Sequence, residues 1–124
     1  MLARRFIRHS VIYILIGISI GIYMAASHNH TLAPAHAHLN LLGYVSMALY
    51  ALFYRAWPAA ATDRLAKWHF WIANIGVVGL IGSLIPLLLG YASAEKFTAA
   101  FSFVVFGGMI LFAIVVFRAT AKDG

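Results

Sequence analysis

The sequence predicts an all-α fold: a polytopic membrane four-helix bundle running up-down-up-down, with both termini cytoplasmic. Three observations carry that prediction. The 124 residues are 64% hydrophobic, with a mean hydropathy of +0.91. Only 10% are charged, where a soluble domain carries roughly a quarter. Four apolar stretches each reach the roughly 20 residues a hydrocarbon core demands. A backbone in lipid has to satisfy its polar groups within its own segment, so these stretches are read as helices.

The first span is expected over Phe6–Ala26, behind Arg4, Arg5 and Arg8. Basic residues, a long apolar run and Ala25-Ala26-Ser27 also suggest a cleaved leader, but the run exceeds the 7–15 residues of a signal core, so a retained anchor is expected. The second span, His36–Trp57, follows Pro34, which suits a helix start because its missing N–H is not needed there. The third, Trp68–Gly90, carries Gly76, Gly79, Gly82 and Ser83, small residues that allow close helix approach. Pro86 is expected to kink its outer third. The fourth is placed over Phe97–Phe117. Connections near Ser27–Ala35, Pro58–Lys67 and Tyr91–Lys96 are short, which favours antiparallel neighbours. The whole chain, 1–124, reads as a single transmembrane domain.

Charge sets the orientation. Arg4, Arg5, Arg8, Arg55, Arg64, Lys67, Arg118 and Lys122 share one side, and Lys96 is alone on the other. By the positive-inside rule the shared side is cytoplasmic. The net charge of +6 is therefore read as topogenic and headgroup-binding, with membrane lipid and not nucleic acid as the partner. The expected location is a bacterial inner membrane. There is no cysteine, which removes thiolate haem ligation and cysteine-based zinc or iron–sulfur sites.

The chemistry concentrates in one place. Four of the six histidines (His28, His30, His36 and His38) fall within eleven residues, at the expected periplasmic rim. Ionisable or metal-binding groups in a span are costly and mark function, and imidazole is a common ligand for iron and copper. At a helix start the dipole favours neutral imidazole, the form that binds metal. Residues two apart on a helix point about 200° away from each other, so His36 and His38 cannot both face inward. Spacing does not say which does. A ligand pair drawn from His28 or His30 plus His36 or His38 is geometrically easy. His69, between Trp68 and Trp71, is read as an aromatic-belt anchor about 30 Å from His38. His9 is read as a headgroup contact. The three acidic residues, Asp63, Glu95 and Asp123, lie in loops or the tail; no catalytic triad or phosphate loop is present, and enzyme activity is not indicated.

His38-Leu39-Asn40-Leu41-Leu42 resembles the early helix of haem-copper oxidase subunit I, in particular the nitric oxide reductase and cbb-type branches. Lys67-Trp68-His69-Phe70-Trp71 is similar to a later stretch of the same subunit that is structural there. The resemblance implies His38 as an axial ligand of haem b and Asn40 as a supporting group. The chain departs from the family in having four spans where the full subunit needs a dozen. It also lacks an outer arginine for haem propionates, so oxygen or nitric oxide reduction by this chain alone is not expected.

Three readings stay open. One is a b-type haem protein with haem in the outer half of the bundle on His38, serving electron transfer or gas binding. Its second ligand would be His28, His30, His36 or a symmetry mate's His38, which suits a homo-oligomer and a redox partner. Another is a copper or other divalent-ion site built from the four histidines, since imidazole-rich sites suit copper and zinc. The third is a non-catalytic accessory subunit of a respiratory complex.

Overall fold

A computed structural model describes residues 1–123. Among these residues there are four helices and no strand. Helix α1 runs Leu2–Ser27. Helix α2 is a composite: α-helical over Ala33–His38, π-helical over Leu39–Ser46 and α-helical again over Met47–Ala56. Helix α3 spans Arg64–Leu88 and α4 spans Glu95–Thr120. Short 3-10 turns, Ala60–Thr62 and Ala92–Ala94, precede α3 and α4. Helices α1 and α3, and α4 with the turn before it, are each long and apolar enough to cross a membrane. The protein is a multi-pass membrane protein.

The pairing is antiparallel, as cross-helix contacts show. The Asn40 and His36 side chains of α2 lie against Gly17 and Gly21 of α1, while Tyr50 and Tyr54 lie against Phe6. Between α3 and α4 the same reversal appears: Gly76 faces Val105, and Ile72 and Ala73 face Gly108. Helix α3 is the most buried of the three long helices and α4 the least. The start of α1, the end of α2, the start of α3 and the end of α4 therefore gather at one end. That end carries eight of the nine basic residues.

The helices outrun their apolar stretches. Helix α1 begins four residues before the expected Phe6, because Arg4 and Arg5 continue the ladder without needing lipid. Helix α3 begins at Arg64 behind Asp63, whose carboxylate accepts the Leu65 N–H at 3.0 Å. An N-cap of this kind satisfies an orphan donor. Asp63→Ala should lower the unfolding free energy by about 1 kcal/mol, read as a fall in thermal midpoint in detergent. Pro86 sits inside the last turn of α3, two residues before the helix ends at Leu88.

The π-helical stretch begins immediately after His38. Its wider turns leave the ordinary ladder, and the Ser46 hydroxyl donates to the Leu41 carbonyl at 3.0 Å. Gly43 lies inside it with its Cα side pressed on Tyr13; a Cβ there would come within 2.8 Å of the Tyr13 Cβ. Segments of this type often occur at functional sites.

Candidate functional site

The rim cluster divides. His36 turns toward α1, where its Nδ1 lies 2.6 Å from the Gly17 carbonyl oxygen. A carbonyl can only accept, so Nδ1 carries the proton and donates. Nε2 is then the acceptor, and the Asn40 amide nitrogen lies 3.4 Å from it. Both ring nitrogens of His36 are thereby engaged inside the α1–α2 seam. Gly17 and Gly21 make the seam possible. A Cβ on Gly17 would fall 1.8 Å from the Asn40 Oδ1, and one on Gly21 2.8 Å from the His36 Cε1. Asn40 Oδ1 is buried there without a hydrogen-bond partner.

His38 points the other way. It is exposed, and its Nδ1 lies 2.7 Å from the Pro34 carbonyl one turn back. By the same reasoning Nδ1 donates, which leaves the Nε2 lone pair directed away from the α1–α2 seam. A carbonyl that fixes the tautomer in this way is the usual outer partner of a metal-binding imidazole. His28 closes α1 in a left-handed conformation, φ 54, a position that glycine or asparagine usually takes. His28 and His30 are both exposed. Among the described residues no three His, Asp or Glu side chains converge in a way that could hold a metal ion. The seam joins Asn40 to His36, its neighbour one turn away, and not to His38.

Two further histidines are set differently from the sequence reading. His69 is not an interfacial anchor. It is fully buried, its Nδ1 2.9 Å from the Tyr54 hydroxyl, and Phe6, Tyr50 and Phe112 surround it with ring centroids 4.5–5.2 Å away. Its Nε2 has no partner. The flanking Trp68 and Trp71 are the exposed ones. His9 is likewise drawn inward. Its Nδ1 donates to the Asn74 Oδ1 at 2.7 Å, the Tyr13 hydroxyl donates to the same oxygen at 2.8 Å, and the Asn74 amide donates to the Phe70 carbonyl. Asn74 stands out as an amide in an otherwise apolar stretch, and His9 and Tyr13 are one turn apart. That was the available signal for this cluster.

The architecture defines a small, all-helical, multi-pass membrane protein with imidazoles at one rim. The family model for cytochrome c and quinol oxidase polypeptide I matches residues 15–94, which takes in the rim and the α1–α2 seam from Leu15 onward. The chain belongs to that family. A curated relative, the bacteroid cytochrome c oxidase subunit 1 homolog of Bradyrhizobium diazoefficiens, is 33% identical over 72 residues. The aligned region takes in 53% of this chain and 13% of that relative's length. No solved structure matches.

Proposed function

We propose that this chain binds haem b at the rim, with His38 as an axial ligand, and acts in electron transfer or in binding a diatomic gas. One observation carries the reading: in a chain of the subunit I family, the His38 Nδ1–H is tied to the Pro34 carbonyl, which leaves Nε2 free and outward. His36 has no such lone pair to offer, because the seam uses both its nitrogens. His38 would hold the iron through its Nε2. The second ligand is drawn from His28, His30 or the His38 of a second copy, which would make the protein a homo-oligomer. Bound haem would supply a one-electron couple with two imidazoles, or an open iron position with one.

The residues around His38 each have a part. The Pro34 carbonyl holds its tautomer. His36 and Asn40 fix the rotation of α2 against α1, and hence the side to which His38 is presented. By the positive-inside rule the basic end lies in the cytoplasm, which puts the rim on the periplasmic side of a bacterial inner membrane. A redox partner would approach from there.

Protein purified in detergent after expression with ample haem should show a Soret band and a sharp reduced α-band. His38→Ala should lose the pigment. His28→Gly should leave the helix end intact, since glycine suits its left-handed conformation, so pigment lost in that variant would identify His28 as the second ligand. Colourless wild-type protein, or pigment undiminished in His38→Ala, would overturn the assignment.

A further inference from the structure

At the basic end, α1 and α2 leave between them a groove of about 440 Å³ that the rim site does not use. Ala3 and Ile7 from α1 and Ala51 and Leu52 from α2 form its apolar walls, and Arg4 and Arg55 stand on its two sides. Small side chains at Ala3 and Ala51 keep it open where larger ones would close the seam. Among the described residues Arg4 donates only to the Met1 sulfur. The acidic side chains lie elsewhere: Asp63 caps α3, Asp123 accepts from the Trp57 indole, and Glu95 opens α4 at the opposite end. Neither arginine donates to a carboxylate among the described residues. An apolar slot between helices with an unpaired guanidinium on either side has the charge and shape to complement one class of molecule. Its chain would lie in the slot and its phosphate between the two forks, which match phosphate oxygens bidentately.

We infer that this groove is a binding site for a single anionic phospholipid, with Arg4 and Arg55 holding the headgroup phosphate. The occupant is a lipid and not free phosphate because the walls below the arginines are wholly apolar. Selection for the anionic headgroup follows from two cations meeting one phosphate region, as basic pockets between membrane helices do for acidic lipids. Generic headgroup attraction would involve all eight basic residues of that end equally. A site would depend on two of them.

The test uses the full chain in mild detergent, with phosphatidylglycerol and phosphatidylcholine of matched acyl chains as probes. Native mass spectrometry should show one phosphatidylglycerol retained per chain through delipidation, with phosphatidylcholine retained at least about tenfold less. Arg4→Gln/Arg55→Gln should abolish the retained adduct, while Arg4→Lys/Arg55→Lys keeps part of it. Arg118→Gln/Lys122→Gln, which removes the same charge from the same end, should keep all of it. Retention lost equally in both glutamine pairs would reduce the effect to bulk charge and overturn the site. Equal retention of the two lipids by wild-type protein would overturn it without any variant, so misfolding of the arginine pair cannot shield it. Displacement of the lipid by inorganic phosphate alone would overturn the role of the apolar walls.

Discussion

His69→Ala is expected to be the most destabilising single substitution in the bundle, lowering the unfolding free energy by about 3–5 kcal/mol. The side chain is fully buried and is surrounded by residues of the three other helices: Phe6 of α1, Tyr50 and Tyr54 of α2, and Phe112 of α4. Truncation leaves a cavity in that ring cluster and strips the Tyr54 hydroxyl of its partner. The two costs separate. His69→Phe keeps the volume and strands only the hydroxyl, at about 1–3 kcal/mol. Tyr54→Phe/His69→Phe removes both polar partners and should return to within about 1 kcal/mol of the parent, since paired apolar replacement of the same shape is nearly neutral. Thermal or SDS unfolding of the parent, Tyr54→Phe, His69→Phe and the double variant closes the cycle. A double variant as weak as His69→Ala would show that the polar pair, and not the packing, holds the helices together.

Gly17→Ala is expected to carry a smaller but still large cost for a single methyl group. Its Cβ would sit 1.8 Å from the Asn40 Oδ1. Asn40 has little freedom to retreat, because turning it away gives up the contact with the His36 Nε2, and His36 is itself held by the Gly17 carbonyl. Overpacking of this kind costs about 1–3 kcal/mol. Asn40→Ala in the same chain removes the colliding atom, so Gly17→Ala/Asn40→Ala should be more stable than Gly17→Ala alone, a coupling of opposite sign to the usual loss. The haem reading adds a second readout. If the seam sets the direction of His38, Gly17→Ala should lose pigment in proportion to misfolded protein or beyond it, and the double variant should recover at least the folded fraction. A melting temperature unchanged by Gly17→Ala would show that the helices do not approach as closely at that point.

Hydropathy made the helices legible because lipid imposes their length, and the boundaries missed were those that lipid does not impose. Arg4 and Arg5 extend α1, Arg64 and Lys67 extend α3, and Arg118 extends α4, all in segments where charge and helix are compatible. The opposed directions of His36 and His38 were readable from helical geometry. Which one faces inward was not, because the answer lies in Gly17 and Gly21, nineteen and fifteen residues away on another helix. His69 was misplaced for a similar reason. Its tryptophan neighbours describe the lipid boundary, while its burial is decided by rings on the other three helices. The π-helical stretch after His38 left no local signature, since its residues are those of any apolar span.

The interlocked rings around His69 have one more consequence. They occupy the middle of the bundle near its basic end, where Phe6 of α1, Tyr50 and Tyr54 of α2, His69 of α3 and Phe112 of α4 pack ring against ring. A change to any one of these rings is therefore felt on all four helices at once.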